Sequence, residues 1–120
     1  AKVKRVLLCS GKVYYDLLDA RRKLGRDDVA IIRLEQLYPI NDELSNVLSA
    51  YQTGTRLVWV QEEPRNGGGW YFMNANLPQI IGDRLPLSVV SRPMAASPAT
   101  GSKASHDLEQ QRLIAEALAS

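Results

Sequence analysis

Two carboxylates, an arginine, an asparagine and three glycines are concentrated between Gln61 and Trp70. Adjacent carboxylates could serve acid–base chemistry, and glycines let a backbone approach a ligand or a neighbouring chain closely. Glu62 and Glu63 would point to opposite sides if the preceding strand continues, and no histidine or metal-ligand cluster accompanies them. We therefore predict a structural turn or a subunit contact, with Glu62, Glu63, Asn66 and Trp70 at an interface, rather than a catalytic site.

A second candidate, Ser10-Gly11-Lys12, stands where a strand gives way to a helix. Backbone N–H groups at a helix N-terminus, with a lysine beside them, can hold an anion or a phosphate. Ser10 and Lys12 are therefore candidate effector-binding residues. Neither of the common glycine-rich phosphate-binding patterns is present, and Gly11 could equally serve a tight strand-to-helix turn. Both interpretations stay open from the residues.

The single histidine, the single cysteine and the aromatic residues are expected to be structural. His106 has no Ser/Asp or Cys partner at a recognisable spacing, so we expect it to pack or hydrogen-bond at an interface. Cys9 ends an apolar run and should be a buried small hydrophobe that cannot form an internal disulfide. Trp59, Trp70 and the residues beside Trp70 should be core or interface anchors. No catalytic residue, cofactor-binding residue or metal ligand is predicted.

Length and composition fit one globular domain spanning residues 1–120. The chain has 120 residues, 45% of them hydrophobic and 23% charged, with a formal net charge of +2. That charge is too small to indicate a nucleic acid or a membrane surface as partner, and no apolar stretch approaches the ~20 residues that cross a bilayer. One cysteine fits a reducing compartment. A start at Ala1, without methionine, suggests a cut piece or a processed product.

Short β-rich runs alternate with amphipathic stretches, which predicts a three-layer α/β/α fold around a mainly parallel sheet of four to five strands. In the second predicted helix we expect Leu44, Val47 and Leu48 to face inward, and we expect Pro78 to end or kink the third. The predicted strands are Arg5 to Cys9, Val29 to Leu34, Arg56 to Val60 and Leu87 to Ser91. The predicted helices are Val13 to Leu24, Asn41 or Asp42 to Tyr51, Trp70 to Ile81 and Ser105 to Ala119, the last after a Pro/Ser/Ala/Gly-rich connection.

Four ordered stretches together span nearly the whole chain: Val6 to Tyr15, Arg33 to Pro39, Trp59 to Pro64 with Asn66 and Trp70, and Arg92-Pro93 through Ser97-Pro98-Ala99 and Gly101 to His106. They resemble the C-terminal domain of the thiamine-diphosphate-dependent component of the 2-oxoglutarate dehydrogenase family. Four ordered motifs are more specific than any one of them. The sister 2-oxoadipate and branched-chain families stay open, the former more than the latter.

The resemblance implies a transketolase-like C-terminal domain of a longer, homodimeric enzyme of the tricarboxylic acid cycle. The parent would decarboxylate 2-oxoglutarate on thiamine diphosphate and Mg²⁺, and succinylate the lipoyl group of the dihydrolipoyl succinyltransferase component. In the family the cofactor lies between the two preceding domains, and Gly82-Asp83-Arg84 is not its Gly-Asp-Gly signature. This piece alone should therefore be inactive and bind no cofactor. The expected location is the cytoplasm, or the mitochondrial matrix in a eukaryote.

Some family members also bind a nucleotide or acetyl-CoA partly through this domain, and Gln36 matches a contributing glutamine. Actinobacterial relatives carry two arginines where this chain has Glu43-Leu44, so acetyl-CoA should bind poorly here, whereas AMP stays open. Arginine at both positions should then improve acetyl-CoA affinity. Two alternatives to the enzyme-domain interpretation remain, namely a nucleotide-binding module using Ser10-Gly11-Lys12 and a dimerisation domain without a ligand.

Overall fold

Parallel strands form the centre of the computed structural model, which describes residues 3–35, 42–93 and 103–119. In these residues the sheet has four strands in the order β2-β1-β3-β4. The predicted three-layer α/β/α class with a parallel sheet is thereby confirmed. The strands are β1 Arg5–Cys9, β2 Val29–Arg33, β3 Arg56–Pro64 and β4 Leu87–Arg92, and the helices are α1 Val13–Leu24, α2 Asp42–Ser49, α3 Trp70–Ile81 and α4 Lys103–Ala117.

The central strands are apolar on both sides because helices cover both faces of the sheet. Alternation along β1 sends Leu7 and Cys9 into the core layer shared with α1 and α4. Val6 and Leu8 enter the opposite layer, which α2 and α3 cover. All four of these side chains are fully buried. Cys9 is therefore the buried small hydrophobe that was predicted.

The positions of the helices follow from the direction in which the chain moves across the sheet. The connection from β1 to β2 moves one way, whereas those from β2 to β3 and from β3 to β4 move the other way. When all crossovers have the same handedness, α1 lies on one face of the sheet and both α2 and α3 lie on the other. The residues of the two core layers agree with this placement. The direction in which the chain moves across the sheet therefore reverses between the neighbouring strands β1 and β3.

Arginines from distant parts of the chain bind the last carbonyls of two helices. Arg5 Nη1 donates to Ala117 O at 3.0 Å, and Arg26 Nη1 donates to Leu118 O. Arg84 binds the end of α2, with donation to Leu48 O at 2.7 Å. Carbonyls at a helix C-terminus lack intrahelical donors and carry partial negative charge, so these contacts stabilise both helix ends.

Several sequence predictions about element ends were wrong. β3 runs on to Pro64 rather than ending at Val60, because β4 continues to pair with it across an irregularity in the register. β2 ends at Arg33 instead of Leu34. Pro78 does not end α3, which continues to Ile81 and closes with Gly82 N–H donating to Pro78 O. The connection between β4 and α4 lies mainly outside the described residues.

The inward face of α2 was predicted correctly at two positions out of three. Leu44 and Leu48 are buried, but Val47 is 43% exposed. A short helix that packs on one side of a sheet buries only a narrow stripe of its side chains. Val47 directly precedes the buried Leu48 but lies outside that stripe. None of the described helices is long and apolar enough to span a membrane.

Candidate functional site

The carboxyl edge of the sheet brings together the two segments that the sequence singled out. β1 and β3 are in-register neighbours, so the turn after β1 and the segment at the end of β3 lie at the same edge. Connections leave these two strands in opposite directions, and open α/β sheets bind ligands at such a reversal. The turn contains Ser10 and Lys12, and the segment from Gln61 to Trp70 is called the glycine segment below.

The side-chain amide of Gln61 organises the glycine segment. It is only 3% exposed. Its Nε2 donates to Pro64 O at 2.7 Å, to Gly67 O at 2.9 Å and to Glu63 O at 3.2 Å. Its Oε1 accepts from the backbone N–H of Trp70 at 3.0 Å. One amide thus ties the end of β3 to the first residue of α3.

Gln61 Oε1 also accepts a hydrogen bond from Trp59 Nε1 at 2.8 Å. Trp59 is almost fully buried beneath the glycine segment, and its indole N–H would otherwise lack a partner. Trp70 follows at the start of α3 and is 9% exposed, within the same core layer as Met73 and Leu77. The segment is therefore built on a buried tryptophan pair.

Gly68 allows the segment to close over Gln61. Its φ is +62°, a left-handed conformation that favours glycine. A Cβ at this position would come within 2.9 Å of Glu63 Oε1 and 3.0 Å of Gln61 Oε1. The neighbouring Gly67 has no positive φ, and a Cβ there would meet nothing closer than 3.6 Å.

We expect Gly68→Ala to lower the free energy of unfolding by about 2 kcal/mol, since left-handed strain and displacement of the Gln61 amide act together. Urea denaturation of the purified protein measures this change. Gly67→Ala is the matched control and should cost less than about 1 kcal/mol. Equal losses in the two variants would contradict the role assigned to Gly68.

The predicted interface residues differ in their exposure. Glu63 and Asn66 are exposed and Glu62 is half-buried, so the two glutamates differ as expected if strand β3 runs through them. His106 is exposed on α4. Trp70 is buried in the core of this chain. Its interface role stays a prediction, and its burial gives it a packing role within this chain, as expected of a core anchor.

The predicted effector residues are only partly described. Ser10 and Lys12 are exposed, and Gly11 has a φ of +80°, which a tight strand-to-helix turn requires. Lys12 precedes α1 and makes no side-chain capping bond to it. Gln36 lies outside the described residues.

The arginine substitutions proposed above at Glu43 and Leu44 need correction. Glu43 is exposed, but Leu44 is 7% exposed and packs in the core under α2. An arginine at Leu44 would place a charge in that apolar layer and destabilise the protein. Only position 43 is therefore suitable for testing whether a missing positive charge weakens acetyl-CoA binding.

An arginine between two tyrosines at the end of β2 was missed. Arg33 Cζ lies 5.4 Å from the ring centroid of Tyr15 and 5.9 Å from that of Tyr14, and Arg33 Nη1 donates to Tyr15 Oη at 3.3 Å. Tyr15 is largely exposed. These residues occur in two separate sequence motifs, and only the pairing of β1 with β2 brings them together. They form a cationic and aromatic surface at the carboxyl edge.

Gln61 was missed as the organiser of the glycine segment. One signal in the sequence could have indicated this role. Gln61 is a polar residue directly after the apolar run of β3, and the glycines that follow leave main-chain carbonyls accessible to it. Its partners are mostly backbone atoms, so no side-chain motif marks them.

The only thiol of the chain is unsuited to nucleophilic chemistry. Burial raises the pKa of Cys9 to about 11, while the nearby Arg33 lowers it to a smaller extent. The thiolate is the reactive form, so Cys9 stays protonated near neutral pH. The described residues include no group of three His, Cys, Asp or Glu side chains that could hold a metal ion.

The fold belongs to the transketolase-like α/β class. A solved structure titled "Split gene transketolase, inactive beta4 tetramer" superposes with a TM-score of 0.58 and 15% sequence identity, covering 98% of this chain and 38% of the other. At that identity the likeness concerns the fold alone. The family described as 2-oxoglutarate dehydrogenase C-terminal matches residues 1–118. The chain is a member of this family.

Bacterial relatives agree with this assignment. The 2-oxoglutarate dehydrogenase E1 component of Haemophilus influenzae is 47% identical over 117 residues, which are 97% of this chain and 12% of the relative. That of Cupriavidus necator is 43% identical, over 99% of this chain and 13% of the relative. The E1/E2 component of Corynebacterium glutamicum is 44% identical over 98% and 10%. The chain thus spans about an eighth of the first two relatives and a tenth of the third.

Within the described part of the chain, no side chains are grouped to hold the thiamine diphosphate and Mg²⁺ that the family implies. Gly82, Asp83 and Arg84 form the turn after α3, where Gly82 closes the helix and Arg84 binds carbonyls of Leu48 and Tyr51. Arg84 is thus engaged within the fold, and the described residues around this turn include no cluster of three metal-binding side chains. We therefore derive no catalytic step through the cofactor on this chain.

Proposed function

We propose that this chain acts as the C-terminal domain of a 2-oxoglutarate dehydrogenase E1 component and supports catalysis that other domains perform. The observation that carries the proposal is the family match over residues 1–118. The short share of each relative that the chain covers supports a role as one domain of a longer protein.

The parent protein would be a homodimer that decarboxylates 2-oxoglutarate on thiamine diphosphate and Mg²⁺. It would then succinylate the lipoyl group of the dihydrolipoyl succinyltransferase component within a multienzyme complex of the tricarboxylic acid cycle. The names of the relatives, as E1 and E1/E2 components, support such a partner. A bacterial protein of this kind would work in the cytoplasm, and a eukaryotic one in the mitochondrial matrix.

This domain would contact the preceding catalytic domains and the dimer partner through the carboxyl edge. Exposed polar groups of the glycine segment, chiefly Glu63 and Asn66, offer hydrogen bonds to such a surface. Their backbone is held in place by the buried Gln61 amide, so little ordering would be needed on contact. His106 and Glu62 belong to the same proposed interface.

An effector nucleotide such as AMP would also bind at this edge, through Gln36, Ser10 and Lys12. The exposed cation of Lys12 supports this proposal, as does the Arg33–Tyr15 pair on the neighbouring strand. Cations and aromatic rings are the groups that phosphates and bases contact. Acetyl-CoA would bind poorly, because Glu43 is exposed and negative where related chains have arginine.

Domain exchange tests the proposed function. The matching C-terminal stretch of the Haemophilus influenzae relative is replaced by this chain, and 2-oxoglutarate-dependent release of CO₂ is measured with thiamine diphosphate and Mg²⁺. We expect the hybrid to retain measurable activity, because 47% identity over 117 residues keeps most packing contacts. The relative without its C-terminal stretch should be inactive.

Two controls complete this test. The isolated 120-residue chain should neither release CO₂ nor bind thiamine diphosphate in calorimetry. A soluble, folded hybrid that is as inactive as the truncated relative would overturn the proposal, and so would micromolar cofactor binding to the isolated chain.

A further inference from the structure

A basic pocket lies at the amino edge of the sheet, opposite the glycine segment. Its volume is about 510 Å³, and its lining includes the side chains of Lys4, Arg5, Arg26 and Arg56. The described residues that line it include no carboxylate. Four cations therefore surround one concave surface, and the carboxylate that pairs with one of them, Asp28, lies outside the lining.

Two of the four cations are held in place by the protein itself. Arg26 pairs with Asp28, with Nε at 2.8 Å from Oδ1, and also binds Leu118 O. Arg5 binds Ala117 O at 3.0 Å. Both guanidinium groups are already held in place before a ligand binds, which lowers the entropic cost of binding.

The other two cations, Lys4 and Arg56, are exposed. Their side chains make no described hydrogen bond or ion pair, although the pKa of Asp28, lowered chiefly by its hydrogen bond with Arg26, is lowered further by the charge of Lys4. Arg56 is the in-register partner of Arg5 on the neighbouring strand, and strand alternation places both on the sheet face that α4 covers. Like charges on paired strand positions repel each other. Burial, followed by the charges of Arg56 and Arg26, lowers the pKa of Arg5, and the charge of Asp28 opposes this to a smaller extent.

We propose that this pocket binds a multiply charged oxyanion, phosphate or the phosphate group of a larger molecule, through Lys4 and Arg56. Such an anion would offset the repulsion between Arg5 and Arg56, while an arginine fork matches phosphate geometry. Thr53 and Thr55 line the same pocket and add hydroxyl donors. The site is at the opposite edge from Ser10 and Lys12, so it is distinct from the effector site proposed above.

Titration of the protein with pyrophosphate and, separately, with AMP tests this site by NMR at constant ionic strength. Shift changes should concentrate at the backbone amides of residues 53–56. Arg56→Gln should weaken pyrophosphate binding about tenfold, since it removes a charge-assisted contact. Lys4→Gln provides a second variant with the same charge change. If AMP binds and Arg56→Gln weakens that binding, the pocket holds the phosphate of a nucleotide. If only pyrophosphate binds, the pocket holds the free anion.

Arg112→Gln is the matched control, because it removes one exposed cation from α4, away from the pocket lining. It should change pyrophosphate affinity by less than about twofold, as expected for screened long-range charge. Equal weakening by Arg112→Gln, or shift changes confined to Ser10–Lys12, would overturn the proposal. So would the absence of any saturable pyrophosphate binding. Thermal unfolding of each variant verifies that the fold is retained.

Discussion

Replacement of Gln61 by leucine is expected to lower the free energy of unfolding by about 3 kcal/mol, because several buried polar groups lose their partner at once. Leucine fills similar space but cannot bind Trp59 Nε1 or the N–H of Trp70, and both donors lie in a buried region. Each buried donor left without an acceptor costs roughly 1–3 kcal/mol. The carbonyls of Pro64 and Gly67 lose their donor as well.

Urea denaturation followed by tryptophan fluorescence measures this change, because Trp59 reports directly on the altered contact. Gln79→Leu is the control, since it makes the same chemical change at an exposed position of α3. The control should stay within about 0.5 kcal/mol of the parent protein. A similarly small loss in Gln61→Leu would mean that the amide does not hold the segment.

Truncation of Trp70 to alanine should cost about 4 kcal/mol of unfolding free energy in the isolated chain. Its side chain is 9% exposed and packs in the core layer with Met73 and Leu77. Removal of a buried tryptophan loses apolar burial and leaves a cavity that the surrounding helices fill only partly. Calorimetric unfolding measures the loss.

Tyr71→Ala serves as the control for Trp70, since Tyr71 is the next residue and is 55% exposed. It should change stability by less than about 1 kcal/mol. An unchanged melting temperature in Trp70→Ala would contradict the core role. The interface role needs a variant that spares the core. Asn66→Ala in the hybrid of the domain-exchange experiment meets that need because Asn66 is exposed.

Fully buried strands were the part of the fold that local sequence predicted best. β1 occupies the predicted residues because its apolar run has the length of one strand and is flanked by polar residues. The far end of β3 was not predictable in this way. Two glutamates and a proline there look like a loop, yet β4 continues to pair with them and Gln61 supplies side-chain hydrogen bonds.

The candidate site was located more easily than its parts were understood. Glycines and charges between Gln61 and Trp70 marked the segment, whereas its organising contacts run from one amide to main-chain atoms and leave no motif. Lys4, Arg26 and Arg56 are far apart in sequence, so only the folded arrangement brings them to one pocket. The assignment to a family came from ordered motifs and not from physical patterns.

The attachment of α4 to β1 has a consequence for synthesis on the ribosome. One apolar face of the sheet, including Val58, Val60 and Val90, is covered in part by Leu113, Ala117 and Leu118 from the last helix. Arg5 is made 112 positions before Ala117, whose carbonyl it binds. Until α4 leaves the exit tunnel, this face of the nascent sheet stays uncovered and is a surface that chaperones recognise.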